Sequence, residues 1–230
     1  MKYHVSFDLD FKRNPYKGLY IALEGIDGSG KSSQVDALVA YYKKQGKKVV
    51  KTREPRKNKG LIGELIQKIL HGKVDIPPVA LQYLFSSDRR MHHEEIVIPA
   101  LKEGSVVISD RCFWSAIPYG ILDQEDFRNI KNSAGILLAS QSILSMYHQF
   151  IVPDYTFYLI IDVDEAWVRT RDKTHEKKEI YESRDKIAKA DLGYKLLLRE
   201  FPKEFVVVDG KRPKEEVTNE IIHKLPRSSK

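Results

Sequence analysis

The chain has 230 residues, 42% of them hydrophobic and 31% charged, with a formal net charge of +7. That length and balance fit one large globular α/β domain, with or without a small lid. The single cysteine, Cys112, excludes an internal disulfide and leaves no thiol pair for zinc. No apolar run approaches the ~20 residues needed to span a bilayer, and the N-terminus has no signal-peptide core, so a cytoplasmic protein with no membrane partner is expected. Basic residues are scattered, with short runs such as Lys47-Lys48 and Arg56-Lys57. They read as a solvated surface plus a phosphate site rather than a nucleic-acid stripe.

Residues 1–18 precede the first strong pattern. Val5, Phe7 and Leu9 alternate with polar residues there, which suits either a short edge strand or a poorly ordered extension. From Leu19 onward strands and helices alternate. LYIALEGI (19–26) reads as a buried parallel strand entering a glycine-rich turn, followed by a helix over roughly 31–45 that ends near Gly46. KVVKT (48–52) is a second strand and 60–71 a short amphipathic helix. Pro77-Pro78 open a longer helix reaching about Lys102. SVVISD (105–110), YTFYLIID (155–162) and FVVVD (205–209) are strand-like. Helical patterns occupy roughly 133–149, 164–172, 183–200 and 213–224. The polar stretch RTRDKTHEKKE (169–179) breaks the apolar rhythm and reads as a flap or lid extending to about 182.

Strands separated by helices imply parallel pairing, right-handed crossovers and helices on both faces of the sheet. No repeat or low-complexity linker interrupts residues 19–230, so a single domain is expected after the N-terminal extension.

Gly25-Ile26-Asp27-Gly28-Ser29-Gly30-Lys31-Ser32 fits G-x-x-x-x-G-K-[ST] at every fixed position, and Ser33 continues it into the helix. The glycines let successive N–H groups turn inward onto phosphate oxygens, and the following helix adds the positive end of its dipole. Lys31 would reach the β- and γ-phosphates of ATP, and the Ser32 hydroxyl would ligate Mg2+. The loop alone implies a nucleoside triphosphate and no more.

Asp110 ends a strand at the carboxyl edge of the sheet, where ligands collect, and could hold Mg2+ through water opposite Ser32 or cap the next helix. Arg111 follows at once, which puts a metal-side carboxylate beside a phosphate-side cation. Arg53 and Arg56 end the second strand on the same edge. Phe85 and Arg89 stand four apart on the long helix, where a ring and a guanidinium could grip a flat base or simply pack and face solvent. Arg169 and Arg171 could bring charge onto a transferring phosphoryl group, or belong to an ordinary charged loop.

EGIDGSGKSSQ, TREP, LFSSDR, DRCFWSAIPYG and the late EIYE occur in the order and approximate spacing found in thymidylate kinases, and the chain resembles that family over about residues 19–224. The resemblance implies the P-loop NTPase fold, with a five-stranded parallel sheet, a short lid and a homodimer formed through long helices. It implies transfer of the ATP γ-phosphoryl group to dTMP, giving dTDP and ADP, with Mg2+. By motif, Asp27 would face the acceptor sugar, Phe85 would stack on thymine, and Arg89 would bond the base. Arg111 would contact the phosphates, Ser115, Tyr119 and Tyr181 would lie in the acceptor site, and Arg53 or Arg56 would neutralise the acceptor phosphate.

Family members carry a catalytic arginine either in the P-loop or in the lid. None stands between Asp27 and Gly30 here, so Arg171 first and Arg169 second are expected to supply that cation, with Arg169 also near ATP. The chain departs from the family pattern at several places. Cys112 replaces an aromatic residue, Tyr119 and Gly120 are adjacent, Gly63 stands where many relatives have arginine, and 121–150 is longer. Another nucleoside-monophosphate kinase on the same scaffold is the nearest alternative. A nucleic-acid-stimulated ATPase is disfavoured, because no helicase-like second motif set is visible.

Overall fold

The computed structural model describes residues 10–57, 60–122, 149–171, 180–181 and 183–226. The alternation at Val5, Phe7 and Leu9, the helical pattern over 133–149 and the flap beyond Arg171 up to 179 lie outside these residues.

Five strands form one sheet: β1 (Leu19–Glu24), β2 (Val49–Arg53), β3 (Val106–Asp110), β4 (Tyr155–Ile160) and β5 (Val206–Asp209). Their order is β2-β3-β1-β4-β5 and every pairing is parallel. This is the α/β, P-loop NTPase architecture that the sequence implies, with central strands apolar throughout because helices cover both faces. β1 stops at Glu24 rather than at residue 26, since Gly25 and Ile26 already belong to the turn. The helices are α1 (Lys31–Lys44), α2 (Gly60–Leu70), α3 (Pro78–His92), α4 (Ile98–Lys102), α5 (Ala116–Leu122), α6 (Val163–Arg171), α7 (Arg184–Glu200) and α8 (Lys214–Lys224). The pattern from Pro78 to Lys102 is continuous as expected, but residues His93–Val97 widen into a π-helical turn. Pro99 explains it: proline has no N–H and its ring crowds the preceding turn, and a wider turn relieves both. α5 is the helix that the sequence pattern did not show.

Strand parity decides which side chains meet which helices. Ile21 and Leu23 of β1 pack with Val106 and Ile108 of β3 against Val35 and Leu38 of α1 and Val217 and Ile221 of α8. Ala22 faces the other way, into a core with Trp114, Ile117, Tyr158, Ile187 and Tyr194. The period of two therefore sends Asp110 to the α1 side and Glu24 to the α5–α7 side. The described part of the N-terminal segment is built into the structure. Lys12 bridges to Ile151, Phe11 packs on the rings of Trp114 and Phe201, and Asp154 accepts from the Tyr20 N–H and from Asn14.

α5 and α7 cross at a glycine. A Cβ on Gly193 would lie 2.7 Å from the Pro118 Cα. Gly193→Ala is therefore expected to lower stability by about 1–3 kcal/mol through overpacking. Helix propensity alone predicts a gain of about 1 kcal/mol for the same change. Thermal melting reads the sign, and a raised Tm would refute the close-packing account.

Candidate active site

The phosphate loop leaves β1 and enters α1 with three left-handed glycines, Gly25 (φ 143°), Gly28 (φ 86°) and Gly30 (φ 95°). At Gly28 the constraint is also one of space, because a Cβ there would meet the Ala166 carbonyl of α6 at 2.2 Å. Lys31 is buried and folds back over the loop, its Nζ donating to the carbonyls of Gly25 (3.0 Å) and Ile26 (2.9 Å). Burial, then the neighbouring Arg111 charge, pull its pKa down to about 8, against the opposing effect of Asp27. Its nearest carboxylate is Asp27, 3.9 Å away.

Parity brings Asp110 over α1, and the Ser32 hydroxyl donates to its Oδ2 at 2.5 Å. Arg53 lies beside Asp110 in the β2–β3 register. Past β3 the chain turns sharply. Arg111 has φ 73°, the positive value that a non-glycine residue adopts at a cost of roughly 1–2 kcal/mol. The turn is held by the Arg111 N–H donating to the Leu23 carbonyl at 2.9 Å. It aims the guanidinium back across the loop, where Nη2 donates to Asp27 and to the Tyr119 hydroxyl (2.8 Å), and Nη1 to the Gly25 carbonyl (3.1 Å) and to Tyr194 (3.0 Å). Burial would raise the Asp27 carboxyl, but Arg111 and Lys31 outweigh it and hold it at about 2.

Beneath this lies Glu24, fully buried, a residue that the motif reading passed over. Its Oε1 accepts from the Cys112 N–H (2.8 Å), and its Oε2 from Ser115 (2.7 Å) and the Tyr194 hydroxyl (2.7 Å). A charged residue ending an otherwise apolar strand was the available signal for Glu24. Tyr194, in the middle of α7, has no local signal. Cys112 puts its thiol 3.4 Å from the same carboxylate, and burial pushes that thiol's pKa well up.

Two cavities open on opposite sides of the loop. One, of about 100 Å³, has Asp27 and Arg111 on its wall, Tyr119, Ser115 and Ala116 from the α5 side, and Gln82, Phe85 and Arg89 from α3. Arg53, Glu54, Pro55, Leu70 and Tyr181 complete it. Its Arg89 is aimed by Glu54, which pairs with the Arg89 Nε and lies 3.1 Å from His92 Nδ1. Burial raises the Glu54 carboxyl and Arg89 with His92 lower it further, to about 2. Tyr181 meets the Tyr119 ring edge-on at 5.4 Å, and the neighbouring Ile180 N–H donates to the Leu70 carbonyl.

Of the residues expected around an acceptor, Arg56 is the one that does not line this cavity. Its Nε binds Asp88 (2.9 Å) and its Nη1 binds Glu95 (2.8 Å), so two carboxylates already absorb its charge. It borders a separate opening together with Ser32, Arg53 and Asp110. Gly63 leaves room for it, since a Cβ there would sit 3.2 Å from the Arg56 carbonyl.

The second cavity, about 440 Å³, runs from Gly28, Ser29, Gly30 and Ser33 to Arg169 and the segment from Gly210 to Lys214. Arg169 donates to the Gly210 carbonyl at 3.1 Å and pairs with Glu165. Lys211, Arg212 and Lys214 add positive charge to the rim, a contribution that the motif reading missed. Arg169 and Arg171 belong to the last turn of α6, as the pattern over 164–172 implies, and Arg171 is exposed. The two arginines therefore stand on a helix, not in the loop that the sequence suggested for 169–179.

A P-loop with a carboxylate-backed serine, and cavities on both of its sides, defines a P-loop phosphotransferase that handles two ligands. The sequence model of the family "Thymidylate kinase" matches residues 23–221. The chain is 35% identical to the thymidylate kinase of Thermoanaerobacter sp. (strain X514), across 90% of this chain and 96% of that protein. It is 35% identical to the one of Leifsonia xyli subsp. xyli (89% and 92%) and 31% identical to the one of Halothermothrix orenii (91% and 97%). The chain belongs to the thymidylate kinase family.

Tyr194→Phe removes one hydroxyl from a network in which Glu24, Ser115 and Arg111 all use it. The buried carboxylate loses a donor, so a destabilisation of about 1–3 kcal/mol is expected, read as a lowered Tm. An unchanged Tm would show that the network does not hold the fold.

Proposed function

We propose that the protein transfers the γ-phosphoryl group of ATP to the 5′-phosphate of dTMP, giving dTDP and ADP. The observation that carries this reading is the placement of two cavities on one phosphate loop. Asp27 and Arg111 face one, and Gly28, Ser29, Gly30 and Ser33 face the other. A donor seated on the second presents its terminal phosphate across the loop toward the first.

The attacking oxygen of a monophosphate is already anionic, so no strong general base is required. Catalysis is then a matter of positioning and of neutralising charge. In this reading Lys31 exchanges its contacts with the loop carbonyls for phosphate oxygens. Arg111, fixed from behind by Tyr194 and from the side by Asp27, faces the oxygens between donor and acceptor. Arg53 meets the acceptor phosphate, and Arg89 and Phe85 meet the base. Asp27 and Tyr119 bound the sugar region, with Ser115 and Tyr181. Arg171, at the open end of α6, is our first candidate for a cation on the transferring group. Arg169 is the second, beside the nucleotide base of the donor.

Ser32 and Asp110 are a hydroxyl and a carboxylate, hard oxygen donors of the kind that suits Mg2+, which keeps waters and phosphate oxygens as its other ligands. These two residues would hold Mg2+, which would supply neutralisation of phosphate charge. We place the reaction in the cytoplasm; no helix among the described residues is long and apolar enough to cross a membrane. A homodimer belongs to the same reading, with Val79 and Tyr83 projecting exposed apolar side chains from successive turns of α3.

Release of ADP against a panel of dTMP, dUMP, dCMP and dGMP tests the assignment. dTMP should be the best acceptor, and Lys31→Ala should lose most turnover. Equal use of the four acceptors, or near-normal activity without Lys31, would overturn it.

The lowered pKa of Lys31 makes ATP affinity depend on pH. Phosphate oxygens favour the ammonium form, so binding raises this pKa and takes up a proton. Below about pH 8 the group is already charged and affinity is flat. Above that pH the apparent Kd for ATP should rise up to about tenfold per pH unit, the limit for one linked proton. Calorimetry in buffers of different ionisation enthalpy would reveal the uptake, and a flat Kd from pH 7.5 to 9.5 would contradict it.

A further inference from the structure

One stripe of α3 looks into the cavity bounded by Asp27 and Arg111. Gln82, Phe85 and Arg89 stand three and four residues apart in succession, so they share a helix face, and all three line the cavity. Gln82 is 5% exposed, a carboxamide built into the wall rather than a surface side chain turned inward. Ala116 and Leu70 add apolar atoms, and the hydroxyls of Ser115 and Tyr119 are engaged with Glu24, Arg111 and Asp27.

Hydrogen-bonding chemistry divides the work among these groups. A guanidinium has donors only, so Arg89 can meet a base carbonyl but not a base N–H. The two carboxylates on the wall are engaged: Glu54 by Arg89 and His92, Asp27 by Arg111 and Tyr119. A pyrimidine with an imide edge carries an N–H between two carbonyls, and once buried that N–H needs an acceptor. A carboxamide supplies an acceptor and a donor side by side.

We infer that Gln82 is a specificity-determining residue, reading the imide edge of the acceptor base with Oε1 accepting from N3–H and Nε2 donating to the adjacent carbonyl. A carboxamide alone could turn over to suit cytosine, whose N3 is an acceptor beside an amino group. Arg89 prevents this, because its donors would then oppose the donors of that amino group. Phe85 holds the ring plane while the two polar residues read its edge. This inference rests on the reading of the cavity as the acceptor site.

The test compares kcat/KM for dTMP and N3-methyl-dTMP in the wild type and in Gln82→Leu, which keeps the bulk and removes the hydrogen bonds. The wild type should prefer dTMP by at least about tenfold, the factor expected for one lost buried hydrogen bond. Gln82→Leu should lose about tenfold on dTMP, mostly through KM, and bring the two acceptors within about threefold of each other. General damage to the pocket would depress both acceptors in parallel, so an unchanged ratio in an active variant overturns the inference and leaves the kinase assignment standing. Should the variant fail to fold, calorimetric titration of the wild type decides: equal affinity for dTMP and N3-methyl-dTMP overturns the role of Gln82. A wild type that phosphorylates no pyrimidine monophosphate removes the acceptor reading and this inference together.

Discussion

Glu24 places a carboxyl group where water has no access, and a polar group is tolerated there only where hydrogen bonds replace the lost hydration. Its donors come from two separate segments: the Cys112 N–H and the Ser115 hydroxyl, in the turn between β3 and α5, and the Tyr194 hydroxyl in α7. One carboxylate at the end of the central strand β1 thus ties the exit of β3 to α7. Arg111 is then bounded on its inner side by this cluster, with its Nη1 4.0 Å from Glu24, and on its outer side by Asp27. The unusual backbone angle at Arg111 is sustained by these contacts and would relax without them.

The charges are arranged in layers. Negative groups, Glu24, Glu54 and Asp27, lie inside or along the wall and each fixes a cation: Arg111, Arg89, and again Arg111 with Lys31 nearby. The cations therefore keep their positions in the absence of any phosphate. The carboxyls of Asp27 and Glu54 are held at about 2 because the same cations stabilise their ionised forms. Preorganisation of this kind removes the cost of gathering charge when the substrate arrives.

Most of the fold could be read from sequence because buried parallel strands are short apolar runs and glycine and proline mark their ends. Gly25, Gly28 and Gly30 were legible for a related reason: a backbone that must turn left-handed tolerates few other residues. Arg53, Phe85, Arg89, Arg111, Ser115, Tyr119 and Tyr181 do converge on one cavity, but Arg56 does not, since Asp88 and Glu95 capture it. Nothing in the local sequence announces that competition, which depends on how α3 lies over the end of β2. Glu24 needed strand parity and Gln82 needed helix phase, both readable once the elements are placed. Tyr194 required knowing that α7 crosses α5 at Gly193, a tertiary fact. α5 escaped notice because it is short and continues directly from a 3₁₀ turn at Phe113–Ser115.

The close approach of Gly28 to the Ala166 carbonyl has a mechanical side. α6, which carries Arg169 and Arg171, rests directly on the crown of the phosphate loop, with the Ala166 carbonyl and the Thr170 hydroxyl against Gly28. The two arginines thus inherit their place from the loop beneath them, and any side chain at residue 28 would push the end of α6 away from it.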